Sequence, residues 1–308
     1  MFQVSGTSDR IWNLTELIAF LSQHQRQHIE LEIVPEAICL ESLGLYKLID
    51  CFEFASVVIH TWNPLEQHDR YIIKFKGANF WFKQTQDIST ELHDWDERYT
   101  FLCLYHRPTA GRLGIASYAQ QYNSAIHFSS DNDADSVPQL ELGKLLDYDV
   151  PSVQRAGALI QQLPILQSSR DKLTAFTGYD YTDPLTDIYR SILVDLVVES
   201  HVQGTTFFPT EKTVRPMLLK KPFIVFGSAN YLDYLHQMGF LTFNDFWDEN
   251  YDGYERGDRL RKIYQTIDFI ASRSTAQLIT MYWDMKYILD HNYDLLMQQK
   301  FKTKITKL

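Results

Sequence analysis

Residues 192–227 read ILVDLVVESHVQGTTFFPTEKTVRPMLLKKPFIVFG, and their pattern sets the fold class. The run 192–199 (ILVDLVVE) is a strand, rich in Val and Ile. A loop containing Gly204 follows, and Thr210 then stands where an N-cap belongs, opening a helix over 210–219. Residues 222–226 (PFIVF) form the next strand, ending at Gly227. A further helix over 230–238 is stopped by Gly239. Strand–helix–strand–helix order implies parallel strands with right-handed crossovers, and so an α/β protein.

Working outward, 258–271 and 275–299 read as long amphipathic helices. Their inner faces carry Tyr264, Ile267 and Ile270, then Tyr282, Met285, Ile288 and Leu289. Upstream, the pattern predicts a helix over 12–21, a strand over 29–34 and a helix over 40–54 broken at Gly44. A buried strand is expected at 56–62 (SVVIHTW), and strands at 71–75 and 79–82 are expected to pair about a Gly77 turn. Residues 99–105 (YTFLCLY) form a strong strand, followed by a helix over 112–121 and a strand over 124–128 (SAIHF). Helical segments fill 138–175, and a turn-rich stretch covers 177–184. The composition shift between 165 and 185 places a domain boundary there, giving an N-terminal domain 1–175 and a C-terminal domain 176–308. The tail KFKTKITKL is basic and expected to fray.

Composition bounds the function. A chain of 308 residues has the length of about two domains. With 45% hydrophobic and 22% charged residues it is neither disordered nor fibrous. No apolar run reaches the ~18–20 residues that span a bilayer, so no membrane partner is expected. Lys and Arg number 29 against 39 Asp and Glu, and the net charge of -10 argues against a surface given over wholly to nucleic acid. Cys39, Cys51 and Cys103 are odd in number and widely spaced, which disfavours a disulfide framework and fits a reducing, cytoplasmic setting. The N-terminus shows no secretory pattern.

The chemistry centres on the opening stretch. The strand at 192–199 delivers Glu199 and Ser200 to the sheet's carboxyl edge, where ligands bind in open α/β sheets. The helix after Thr210 presents N–H groups and a partial positive charge suited to phosphate. Lys212 adds a point charge and Arg215 a planar fork, while Glu211 suits a pair of sugar hydroxyls. The plainer alternative has Glu211 complementing the helix dipole, with Lys212 and Arg215 solvated.

The order Glu199-Ser200, Thr210-Glu211-Lys212, Lys221-Pro222-Phe223 and Gly227 resembles the donor-binding half of GT-B glycosyltransferases, particularly fucosyltransferase-like and exostosin-like proteins. The longer pattern through YLHQMGFLTFNDFWDENYD is similar to glycosyltransferases of large phages. The resemblance covers about a quarter of the chain, with 99–123 matching loosely. It implies two Rossmann-like domains in a compact GT-B-type arrangement. It also implies that Lys212 contacts donor phosphate and Glu211 the ribose. Arg215 extends that set on chemical grounds.

A second patch, Tyr105-His106-Arg107-Pro108 followed by Arg112, suits an anion site between domains. The phage-type group carries Asn-Arg-Arg-Pro there, so only Arg107 transfers from it. The expected donor set is therefore Arg107, Arg112, Glu199, Ser200, Thr210, Glu211, Lys212, Arg215 and Gly227. For an inverting reaction, His60, Asp69 and His106 are the candidates to deprotonate the acceptor.

Other motifs have plainer readings. Asp131-Asn132-Asp133 matches the Asp-x-Asp of metal-dependent transferases, yet also reads as a solvated acidic loop. His24 and His28 stand at i, i+4 on an expected helix end but lack a HExxH glutamate, and His127 reads as a core or cleft histidine. Asp245, Trp247, Asp248, Glu249 and Asp252 form an acidic-aromatic cluster that either covers a sugar pocket or packs as a loop. Walker A, G-x-S-x-G and G-x-G-x-x-G motifs are absent. The functional expectation is transfer of a sugar from a nucleotide-sugar donor to a glycan or a hydroxylated base in phage DNA. No cofactor or metal is expected, since lysine and arginine supply the charge. The alternatives are a non-enzymatic binding or structural module and a metal-dependent Asp-x-Asp transferase.

Overall fold

The computed structural model describes residues 1–7, 10–34, 37–76, 95–128, 138–146, 150–165 and 183–301. The expected strand at 79–82 with its Gly77 turn, the Asp131–Asp133 triplet, most of the 177–184 turn and the basic tail from 302 lie outside them. The chain is α/β with two separate sheets, all of whose long strands run parallel.

The first sheet is built from β1 (Phe2–Thr7), β2 (Arg10–Ile11), β3 (His28–Val34), β4 (Ser56–Thr61) and β5 (Ile72–Phe75), in the order β2-β1-β3-β4-β5. The short β2 pairs antiparallel and closes one edge. Strand β3, HIELEIV, alternates buried and half-buried residues because, among the described residues, helices pack one face of the sheet. On that face Val4, Leu31, Ile33, Val57 and Ile59 meet helix α1 (Leu14–Gln23) through Leu17 and Leu21. Helices α2 (Leu40–Leu43) and α3 (Leu45–Ile49) complete the layer with Leu40, Leu45 and Ile49. Gln3, Glu32, His60 and Lys74 share register positions on the opposite face.

The second sheet contains β6 (Tyr99–Tyr105), β7 (Ser124–Phe128), β8 (Ile192–Val198) and β9 (Phe223–Phe226), in the order β7-β6-β8-β9. Every residue of β8 and β9 is buried, which explains the near-continuous apolar runs. Alternate residues of β6 divide between two cores. Phe101, Cys103 and Tyr105 enter the large core, while Leu102 packs with Ala125, Leu185, Tyr189, Ile192 and Leu219. Helix α4 (Ala110–Ala119) lies against β6 and β8, and Gly111 allows the contact: a Cβ there would stand 2.7 Å from the Phe226 ring. Helices α5 (Pro138–Leu146), α6 (Val150–Ile160), α7 (Asp183–Arg190), α8 (Glu211–Leu218) and α9 (Tyr231–Gln237) surround the sheet with α10 (Arg256–Ala271), α11 (Thr275–Asp284) and α12 (Lys286–Phe301).

Three expectations change. Strand β6 pairs with both β7 and β8, so the sheets divide between β5 and β6, and a boundary at 165–185 would fall inside the second sheet's β7–β8 connection. The expected helix over 275–299 is two, meeting at Met285, which is buried at the joint. His24 caps α1, its Nδ1 2.8 Å from the Phe20 carbonyl, whereas His28 opens β3 and meets Ser56 Oγ at 2.6 Å. They share no helical face.

The two sheets meet at their carboxyl ends. Asn63, just beyond β4, donates from Nδ2 to the Thr205 carbonyl at 2.8 Å, and Thr206 Oγ1 donates to the Ala37 carbonyl at 2.6 Å. Gly204 sits between them with φ +71, and a Cβ there would lie 2.7 Å from Cys39 Sγ. Only glycine satisfies both the backbone and the contact. The Gly204 loop is the joint between the sheets.

Candidate functional site

In the second sheet the strand order steps from β6 outward to β7 and then back across to β8, so its topological switch point lies between β6 and β8. Crevices at such points, outside the carboxyl ends, are where α/β sheets bind ligands. Two segments meet there. One runs from Tyr105 through His106 and Arg107 into α4, and the other is Glu199-Ser200-His201 leaving β8.

Glu199 is buried and organises the second segment. Its Oε1 accepts from the Thr210 backbone N–H (3.0 Å) and the Thr213 hydroxyl (2.5 Å), and Oε2 accepts from the Thr210 hydroxyl (2.6 Å). The Tyr231 hydroxyl completes the ring, 3.1 Å from Glu199 Oε1 and 2.9 Å from Thr213 Oγ1. A buried carboxylate with this many donors is a stable anchor. It fixes the start of α8 relative to β8.

Thr210 is the N-cap of α8, as expected, accepting from Lys212 N at 3.3 Å. Lys212 turns back over the cap. Its Nζ donates to Glu211 Oε1 at 2.7 Å, Thr210 Oγ1 at 3.1 Å and Ser200 Oγ at 3.4 Å. Burial alone would raise the Glu211 carboxyl, but the charges of Lys212 and Arg215 and the Lys212 hydrogen bond hold it at about 2. Glu211 and Lys212 keep side-chain exposures of 21% and 17%, so this pair reaches the surface while Glu199 does not.

The remaining expected residues separate by position. Arg112 is buried in the first turn of α4, its Nη1 donating to the Arg107 carbonyl at 3.2 Å. Burial depresses its pKa, and the negative charges of Glu211 and Glu199 oppose that shift, so the guanidinium lies within their field. Arg107 is half-buried and His106 exposed at the end of β6. Arg215, by contrast, is buried in α8, where its charge lowers the Asp195 carboxyl that burial has pushed up to about 6. Tyr189 donates a short hydrogen bond to the same carboxylate. Arg215 is a buried countercharge within the fold. Gly227 makes room for Tyr231: a Cβ there would lie 2.6 Å from that ring, and Arg259 donates to its carbonyl.

Among the three general-base candidates, the structure brings only His106 to this edge. His60 lies within β4 on the polar face of the first sheet, its Nε2 3.7 Å from Glu30 Oε2. Asp69 is exposed just before β5, at the amino end of the sheet, because the β4–β5 connection has already crossed back there. The acidic-aromatic cluster resolves into packing. Glu249 accepts from the Thr242 hydroxyl (2.6 Å) and Phe243 N (3.0 Å), and burial pushes it up to about 7. Asp252 accepts from Leu232 N at 2.8 Å. Glu249 pins the loop around Phe243, and Asp252 pins the start of α9.

Several members of the site were not read from sequence. Thr213, Tyr231 and Asp195 act through contacts that linear spacing does not reveal. His201, buried beside Phe208 at the end of β8, follows Ser200 directly, and that adjacency was the available signal. Among the described residues, no group of three or more His, Cys, Asp or Glu is placed to hold a metal ion, and no helix is long and apolar enough to cross a membrane. The chain matches no family model, and sequence comparison detects no curated relative.

Proposed function

We propose that this chain is a nucleotide-sugar-dependent glycosyltransferase, with its two parallel sheets in a compact GT-B-type arrangement. One observation carries the reading: the carboxyl ends of both sheets converge on the 200–210 segment, and the partly exposed Glu211–Lys212 pair sits there at the switch point. The resemblance of Thr210-Glu211-Lys212 and Lys221-Pro222-Phe223 to donor-binding halves of this class points the same way. In the reaction an acceptor hydroxyl attacks the anomeric carbon, the bond to the diphosphate oxygen breaks, and the hydroxyl proton passes to a base. Lys212, Arg107 and Arg112 supply positive charge for the departing nucleoside diphosphate, an electrostatic task. His106 is the candidate base at this edge. The acceptor is a glycan or a hydroxylated base in DNA, and salt-sensitive binding to duplex DNA separates the two.

The test is a thermal-shift panel of UDP, GDP, CMP and TDP sugars. One of them, at about 100 times its dissociation constant, is expected to stabilise the protein by about 2.7 kcal/mol. Lys212→Ala is expected to abolish that shift. Silence across the panel would remove the nucleotide-sugar reading. Binding without sugar release favours instead a binding module, a reading the positions of His60 and Asp69 support.

A further inference from the structure

The cations at the switch point are unequally served. Lys212 has three partners, whereas Arg112, 6% exposed, makes a single hydrogen bond to the Arg107 carbonyl. Its buried Nε has no hydrogen-bond partner, its guanidinium carbon lies 5.9 Å from the Tyr105 ring, and among the described residues it forms no ion pair. Neither neighbouring carboxylate is available. Glu199 is spent on Thr210, Thr213 and Tyr231, and Glu211 is spent on Lys212. A buried guanidinium served by one neutral acceptor and an aromatic face, with no anion paired to it, is costly to keep, and a planar fork of this kind is suited to a phosphate. Glu211 meanwhile places a carboxylate on the ammonium at the start of α8, and Gly111, beside Arg112, packs on Val198 and Phe226 at the carboxyl ends of β8 and β9, so the first turn of α4 shares this edge.

We infer that Glu211 is a built-in stand-in for a ligand phosphate: its carboxylate occupies Lys212 until a diphosphate displaces it and bridges Lys212 and Arg112. This rests on the nucleotide-sugar reading, and it assigns to that site a gate made from the chain's own anion. Displacement forms no covalent bond. It exchanges one ion pair for two, with the Arg112 guanidinium acquiring the acid partner it lacks. The freed carboxylate is then available to the ligand's sugar hydroxyls. Removing the Glu211 charge therefore acts in opposite directions on different ligands: inorganic pyrophosphate, with no sugar, gains affinity, while a nucleotide sugar does not share the gain.

Titration calorimetry with inorganic pyrophosphate and with the nucleotide sugar that stabilises the wild-type protein tests this on the full chain. Glu211→Gln is expected to bind pyrophosphate about tenfold tighter than wild type, because a competing charge a few ångströms away has gone. Lys212→Gln and Arg112→Met are expected to lose pyrophosphate binding. A gain in Glu211→Gln has no explanation in misfolding, which guards against the chance that Arg112→Met fails to fold. Unchanged or weaker pyrophosphate binding by Glu211→Gln, with nucleotide-sugar binding by wild type intact, overturns the stand-in and leaves the glycosyltransferase reading standing. Failure of wild type and Glu211→Gln to bind either ligand overturns both.

Discussion

The two sheets are both built on parallel strands and differ in what covers them. In the first, HIELEIV alternates because helices pack one face and the other carries Gln3, Glu32, His60 and Lys74. In the second, ILVDLVV is buried along its whole length, between the large core and the smaller one around Leu102 and Tyr189. Strand order differs too. The parallel strands of the first sheet follow in sequence order, β1-β3-β4-β5, and produce no switch point, whereas β7-β6-β8-β9 creates one. The charged groups that suit a ligand gather in the second sheet for that reason. The first sheet's contribution is the wall it presents through Asn63 and Ala37.

This contrast can be broken deliberately. The largest effect is expected from Leu196→Lys, which places an ammonium in a strand buried on both faces. A loss of about 4–5 kcal/mol or more is expected, seen as failure to fold in urea titrations. Gly204→Ala comes next. It adds a Cβ against Cys39 at a backbone φ of +71, and a cost of about 2–4 kcal/mol is expected. The buried Cys39 thiol should then react faster with a thiol reagent as the sheets separate.

Lys221 sharpens the comparison through pH. It is 2% exposed just before β9, with its Nζ 4.8 Å from the Tyr282 ring and without a hydrogen-bond partner. Burial lowers its pKa from 10.5 to about 7, with Asp96 pulling weakly the other way. Between those values the unfolded chain holds a proton that the folded protein has released, so stability rises as pH climbs from about 7 toward 10.5. Lys221→Met is therefore expected to stabilise the protein most near pH 6, by about 1–3 kcal/mol, with the gain shrinking toward pH 10. A gain independent of pH would contradict a buried, titrating amine. The smallest effect is expected from Ile72→Lys. That residue is 54% exposed in β5, and a change within about 0.5 kcal/mol in the same titration marks the open sheet as tolerant where β8 is not.

Much of the second sheet was legible in advance because burial on both faces leaves an unmistakable apolar run between turn signals. The Thr210 cap was equally plain, since capping is local chemistry. The strand Phe2–Thr7 was not, as FQVSGT carries little apolar pattern and is held by pairing with β3. The charged residues of the candidate site were read as neighbours in sequence, but their burial was not foreseeable. Arg215 and Lys212 stand three positions apart in one helix, yet one reaches toward Asp195 in the core and the other covers the cap.

The sequence by itself determined the α/β class, the strand–helix order of the C-terminal half and the Thr210-Glu211-Lys212 helix start, because periodicity and capping are properties of a few adjacent residues. Tertiary structure alone decided that β6 and β7 join β8, that Gly204 is a joint, and that Arg112 is buried with one acceptor while Arg215 answers Asp195. Those outcomes depend on strand order and on which groups share a low-dielectric space, and neither is written in local spacing.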